Sequence, residues 1–337
     1  MLTNPPKHGY LVISLDFELF WGMFDKVTLD QYGANVAGER TAIPRMLSLF
    51  QSHGIHATWA TVGMLMTRNK RELLSLLPPP HLQPTYEDMR VSAYEYIKTA
   101  HIGDDEHSDI YHFGPSLVKA IQETPHQEIA NHTFSHYYCI DGRANDATIF
   151  ARDLDAHATI ARTYDIETES IVFPRNQMNE EALRVCTNKG IQSYRGNENH
   201  PLYRPRKDTE QSLFIRGVRL LDHYCNLSGH HTYPLPRVRV GFPLNIPASR
   251  FMRPWNKSLQ IFEWLRLRRI KNSMTHAAKK REIFHLWWHP HNLGINQEQN
   301  FKNLEEILNH FEDLKHKYRF ESASMHDVAQ IVHIQTS

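Results

Sequence analysis

Cysteine is nearly missing from the 337 residues: Cys139, Cys186 and Cys225 are the only three, far apart and odd in number. No Cys-x-x-Cys pair occurs, which excludes a zinc ribbon and a disulfide framework. Charge of one sign is also lacking. A formal net charge of +1 offers no bulk attraction to a polyanion, so nucleic acid is not an expected partner. No apolar run approaches the roughly 20 residues that span a bilayer, and residues 1–7 have neither the basic nor the apolar region of a secretion signal. A soluble, cytoplasmic protein is expected. Internal repeats and Gly- or Pro-rich linkers are absent, so a single domain is expected over residues 1–337.

Histidine, by contrast, is abundant. The chain carries 23, enough to suggest metal or acid–base chemistry without saying where. Apolar runs of strand length alternate with helix-period segments throughout. Residues 10–15 read as a buried strand, and 39–52 as a helix closed by Gly54. A strand over 55–62 precedes a helix that Pro78–Pro80 must stop. Further strands are predicted at 128–131, 168–173, 191–194, 282–288 and 320–323. Helices are predicted at 147–164, 179–189, 258–281 and 297–317, with a last one at the terminus. Residues 78–113 and 197–281 fit the alternation poorly and read as insertions. Seven or so β-then-α units argue for one parallel structure, a barrel or a doubly wound sheet. In both, working residues gather at the carboxyl ends of strands.

The chemistry-bearing residues do fall there. The first strand ends in Ser14-Leu15-Asp16-Phe17-Glu18, and positions two apart on an extended chain face the same side. The third ends in Asn131-His132-Thr133-Phe134-Ser135-His136, and two His four apart share one face of a helical turn. The fourth ends in Phe173-Pro174-Arg175-Asn176, and a late strand in Leu286-Trp287-Trp288-His289-Pro290-His291. Two imidazoles plus a carboxylate, with one position left for water, is the ligand count of a hydrolytic zinc site. A second carboxylate can serve as base toward that water, and a separate His as proton donor. Each piece alone has a plain structural explanation; four pieces at four strand ends weaken it jointly.

Taken together, these motifs resemble the polysaccharide deacetylases, the NodB-homology group of carbohydrate esterases. The resemblance runs from about residue 9 into the 290s. It rests on Leu15-Asp16-Phe17-Glu18, on Glu128-Ile129-Ala130-Asn131-His132-Thr133-Phe134-Ser135-His136, on Phe173-Pro174-Arg175-Asn176 and on Leu286-Trp287-Trp288-His289-Pro290. It implies a distorted (β/α) barrel of about seven parallel strands and a divalent metal ion, zinc foremost, with Co2+ or Ni2+ as substitutes. Glu18, His132 and His136 would bind the metal, Asp16 would be the catalytic base, Arg175 would orient Asp16, and His289 would be the general acid, cationic at the working pH. Three departures stand out. Phe17 separates an acidic pair that is usually adjacent, which leaves open an exchange of roles between Asp16 and Glu18. Pro174 precedes Arg175 instead of following it. No Asp-Trp segment is present to orient the acid His, for which Asp222 is the candidate.

The implied reaction is hydrolysis of the N-acetyl group of an amino sugar. Its substrate would be a nucleotide-linked, lipid-linked or oligosaccharide intermediate of surface polysaccharide synthesis. The alternatives are another C–N hydrolase on the same scaffold, a sugar deformylase or an amidase, and a catalytically inactive carbohydrate-binding relative. Residues 250–281 hold many cations and one acid, Glu263. There Arg266, Arg268, Arg269 and Lys271 alternate with Trp264, Leu265, Leu267 and Ile270, either a solvated helix face or a peripheral membrane or phosphate contact.

Overall fold

The computed structural model describes residues 8–141, 146–203 and 213–336. Strand β1 (Tyr10–Phe17) is buried at every position, as a strand covered on both faces must be. Around it lie β2 (Ala57–Thr61), β3 (Gln127–Asn131), β4 (Ser170–Ile171), β5 (Ser193–Tyr194), β6 (Leu244–Asn245), β7 (Arg250–Phe251) and β8 (Ile283–Trp288), while β9 (Glu321–Ser322) pairs with the start of β1. The order is β6-β5-β4-β3-β2-β1-β8-β7, and every pairing is parallel. Residues 244–251 bond to β5 at one end, through Ile246 N to Tyr194 O, and to β8 at the other, through Ser249 N to His285 O. This segment bridges the two edges of the sheet. The result is the distorted (β/α) barrel expected, in one α/β domain.

Two differences from the sequence reading have clear causes. The strands β6 and β7 lie inside 197–281, so that stretch contributes wall as well as loop; residues 204–212 within it lie outside the described residues. At two residues each, these strands are too short to leave a periodic signal. Residues 78–113 contribute no strand but supply the helix α3 (Ala93–Thr99). Helix α1 runs Leu29–Ser52, ten residues longer than predicted, because Gly33 and Gly38 disguise its first half. Gly38 is there for close packing: a Cβ on it would lie 2.0 Å from the Gly294 carbonyl oxygen. Helix α1 thereby touches the turn after β8, which carries His289 and His291.

The remaining helices α2 (Lys70–Leu76), α4 (Pro115–Glu123), α5 (Ala147–Arg162), α6 (Glu180–Asn188), α7 (Leu213–Asp222), α8 (Glu263–Lys280), α9 (Gln297–Tyr318) and α10 (Met325–Thr336) lie between the strands or after the last one, with α2, α3 and α4 together between β2 and β3. None of the described helices is long and apolar enough to cross a membrane. On α8 the structure corrects the four-cation face. Arg266 and Arg269 are buried; the first pairs with Glu263, and the second bonds Gly229 O and lies 3.8 Å from Asp222. Lys271 reaches Glu306 in a solvent-exposed ion pair, and Arg268 is exposed. Burying a guanidinium requires internal partners, and Arg266 and Arg269 have them.

Candidate metal centre and acid–base site

Strand β1 aims Ser14 and Asp16 to the same side, as a pleated strand must. Arg195, at the end of β5 and fully buried, reaches across to meet them. Its guanidinium donates to Asp16 Oδ1 and Oδ2 at 2.6 and 2.7 Å, to Ser14 Oγ at 3.0 Å and to Asn176 Oδ1 at 2.9 Å. The fork geometry fixes the carboxylate plane as a lysine could not. Burial alone would push the Asp16 carboxyl up, but the Arg195 charge and hydrogen bonds outweigh it and hold the group below the usual range. Asp16 is therefore an ionised acceptor.

This overturns the orienting role expected of Arg175. Arg175 pairs with Asp25, and its guanidinium carbon lies 4.3 Å over the Tyr138 ring. The Tyr138 hydroxyl sits 3.0 Å from His136 Nδ1, so Arg175 acts on the site through a tyrosine. Its backbone is left-handed, φ 52°. Sequence reasoning missed Arg195 because nothing in Ser193-Tyr194-Arg195 sets it apart from a surface cation; only its place at a strand end hinted at a role.

Glu18 follows β1 where the chain turns into a left-handed Leu19, φ 47°. Its carboxyl group is buried against Gly22, where a Cβ would fall 2.0 Å from Glu18 Cδ. Around that carboxylate stand four imidazoles. Glu18 Oε2 is 3.0 Å from His136 Nε2 and 3.5 Å from His132 Nε2. Oε1 is 3.3 Å from His291 Nε2 and 3.8 Å from His289 Nε2. Burial would raise the Glu18 carboxyl, but the charge of His289 and the hydrogen bond and charge of His136 draw it well below the usual range.

The pair His132 and His136 does not lie on a helical turn as the spacing suggested. Both sit in the loop after β3, where Thr133 (φ 62°) and His136 (φ 55°) take left-handed backbone. A β-branched residue resists that conformation, and the loop is held by side chains. Asn131 Oδ1 accepts from Thr133 N at 2.6 Å. Asp153 of α5 accepts from Phe134 N and Ser135 N at 2.6 and 3.2 Å. Burial lifts the Asp153 carboxyl to about 6, against these hydrogen bonds.

These donors fit a divalent cation. His132 Nδ1 lies 2.8 Å from the Val172 carbonyl oxygen, which can only accept, so Nδ1 carries a proton and Nε2 presents a lone pair. That Nε2 is buried without a hydrogen-bond partner and faces the Glu18 carboxylate. Two acceptors so placed need a positive charge between them. Tetrahedral ligands about 2.0–2.1 Å from an ion lie about 3.3 Å apart, close to the separations seen. Both Glu18–His132–His136 and Glu18–His289–His291 group their ligand atoms tightly enough to hold one ion.

His289 stands at the mouth with 24% of its side chain exposed, 3.8 Å from Asp16 Oδ2. Burial lowers its pKa despite the raising influence of Glu18 and Asp16, which works against the cationic form expected. Trp287 flanks it at 5.7 Å between ring centroids, while Trp21, Trp59 and Trp288 are core. Asp222 does not orient it. That carboxylate is committed to Arg250, Tyr203 and Ser228 at 2.7, 2.6 and 2.7 Å. The neighbours of the His289 ring are Phe251, Trp287 and a stacked His291.

The family model described as polysaccharide deacetylase matches residues 23–194, slightly more than half of the chain. It includes His132 and His136 but stops short of Asp16 and Glu18 at one end, and of Arg195 and His289 at the other. None of the curated proteins matches. Among solved structures, a protein described as a polysaccharide deacetylase from Mycobacterium smegmatis aligns at 13% identity and TM-score 0.60, covering 99% of this chain and 94% of its own. PuuE allantoinase aligns at 11% and 0.53, covering 98% and 95%. A protein described as a polysaccharide deacetylase from Pseudomonas aeruginosa PAO1 aligns at 10% and 0.51, covering 96% and 90%. At such identities the likeness is one of fold.

Proposed function

Because the chain belongs to the polysaccharide deacetylase family, we propose that it hydrolyses the N-acetyl group of an amino sugar. In this reading Glu18, His132 and His136 hold a divalent ion, zinc by its donor set, with Co2+ or Ni2+ able to substitute. Asp16 is the base and His289 the proton donor. The observation that carries the reading is the buried Glu18 carboxylate with four imidazoles 3.0–3.8 Å away, beside an Asp16 clamped by Arg195.

A bound divalent ion supplies a water whose pKa falls from 15.7 toward about 7, and a Lewis acid for the acyl oxygen. The protein's own groups move the protons. Asp16 takes the proton from the attacking water as the new C–O bond forms. His289, 3.8 Å from Asp16 Oδ2, takes that proton on from Asp16 and passes it to the sugar nitrogen. The C–N bond then breaks, releasing acetate and a free amine. The nitrogen must be protonated because an amide anion is far too basic to leave. Trp287 offers an apolar wall for the acetyl methyl.

The test is amine release from N-acetylated sugars presented free, as oligosaccharides and diphosphate-linked, alongside metal analysis. His132→Ala is expected to lose metal and turnover together. His289→Ala is expected to keep the metal and lose roughly 100- to 10,000-fold in turnover. Metal bound with no turnover on any acylated sugar would sink the deacetylase reading, and release of formate but not acetate would point to the deformylase. A cytoplasmic location belongs to the same proposal, with cell fractionation as its check.

A further inference from the structure

The proposed mechanism uses one oxygen of Glu18 for metal and leaves the other facing two imidazoles. Glu18 Oε1 meets His291 Nε2 in a long hydrogen bond of 3.3 Å and lies 3.8 Å from His289 Nε2, separations near the spacing of ligands around one ion. The imidazoles of His289 and His291 are stacked, 5.0 Å between centroids at 28°, and both Nε2 atoms lie toward Glu18 Oε1. His291 is buried and braced from behind: the Tyr32 hydroxyl of α1 and the Asn292 side-chain amide lie 2.9 and 3.3 Å from His291 Nδ1. A hydrogen bond on the far nitrogen is what sets the tautomer and aim of a metal-binding imidazole. The close contact of Gly38 with Gly294 keeps that brace in register. Glu18, His289 and His291 satisfy the same ligand-atom spacing as Glu18, His132 and His136.

We propose that Glu18 Oε1, His289 Nε2 and His291 Nε2 form a second divalent-cation site at the mouth, bridged by the Glu18 carboxylate to the inner one. The inference rests on the reading of the inner site and adds a consequence for its regulation. An ion at the mouth takes the Nε2 lone pair of His289, and no proton can then be carried there. Metal in excess of one equivalent therefore inhibits the enzyme, reversibly, by occupying its proton donor.

Apo-protein prepared with a chelator and titrated with Zn2+ in a calorimeter is expected to bind two equivalents, the second at least 10-fold more weakly. His291→Gln is expected to bind one, with circular dichroism reporting that it is folded. The double variant His132→Ala/His136→Ala is expected to retain one equivalent, at the mouth. A Co2+ titration of the unmodified protein reports the same stoichiometry through its absorption spectrum, without any variant. Deacetylation, where measured, should rise to one equivalent of Zn2+ and fall beyond it, and in His291→Gln the fall should disappear. A single equivalent in the unmodified protein, or two in His291→Gln, would overturn the proposal. Two equivalents without turnover on any sugar would leave the mouth site standing and remove the deacetylase reading.

Discussion

A missing side chain and a planar cation govern the site at the scale of single residues. Gly22 leaves room for the Glu18 carboxylate, whose Cδ would lie 2.0 Å from a Cβ there. The cheapest relief in Gly22→Ala is rotation of Glu18 away from the imidazoles, not movement of backbone. The expected result is a metal affinity weaker by about 10- to 100-fold, the scale on which misaimed ligands are felt, with little change in thermal unfolding of the apo-protein; metal titration checks it. Arg195→Lys keeps a positive charge but loses the fork on Asp16. The Asp16 pKa, now held down by Arg195, should rise, since burial is the opposing influence. The acidic limb of kcat/KM is therefore expected to move to higher pH and kcat to fall by roughly 100-fold, with metal content unchanged. A pH–rate profile with an unmoved limb would show that Arg195 does not act through Asp16.

At the scale of elements, the site depends on how helix α1 meets the turn after β8. Gly→Ala inside a helix normally stabilises by about 0.5–1 kcal/mol. At Gly38 the sign should reverse, because the new methyl would meet the Gly294 carbonyl at 2.0 Å and backbone must shift, at a cost of roughly 1–3 kcal/mol. A lowered urea midpoint for Gly38→Ala, together with a fall in kcat, is the expected outcome. Helix α5 performs a similar service for the loop of His132 and His136, where Asp153 receives two backbone N–H groups. Its partners lie 18 and 19 residues away in the chain, which is why the sequence spacing His-x-x-x-His suggested a helical turn when the real constraint was tertiary.

On the scale of the whole molecule, buried histidines link stability to pH. His157 is lowered to about 4 and His285 to about 3, in each case by burial first; His223 and His231 are lowered to about 3 and about 4 for the same leading reason. Their folded pKa values lie below the ordinary 6.5, so on acidification the unfolded chain takes up protons first. Stability is then complete above about pH 6.5 and falls as pH drops toward 4, with a slope of up to about 1.4 kcal/mol per pH unit for each group. Asp153, raised to about 6, works in the opposite direction, as do Glu39 and Glu198, which burial also raises: three carboxyls against these four histidines. Urea midpoints measured between pH 7.5 and 4.5 should decline, and the decline should be shallower in His157→Gln, whose amide can still donate to the Thr61 carbonyl that His157 Nε2 meets at 2.9 Å.

Local sequence was enough to determine the alternation of strands and helices, the strand ends on which chemistry would sit, and the presence of Asp16, Glu18, His132, His136 and His289 at those ends. Period, turn residues and short motifs are properties of neighbouring positions, and neighbours are what a sequence displays. Which guanidinium meets Asp16 was decided by tertiary structure, as was the fate of the cations of α8. So were the reach of Glu18 between two pairs of imidazoles and the use of Gly22 and Gly38 as points of close approach. Each of these depends on atoms brought together from distant segments, by a barrel whose closure through residues 244–251 leaves no periodic trace in the chain.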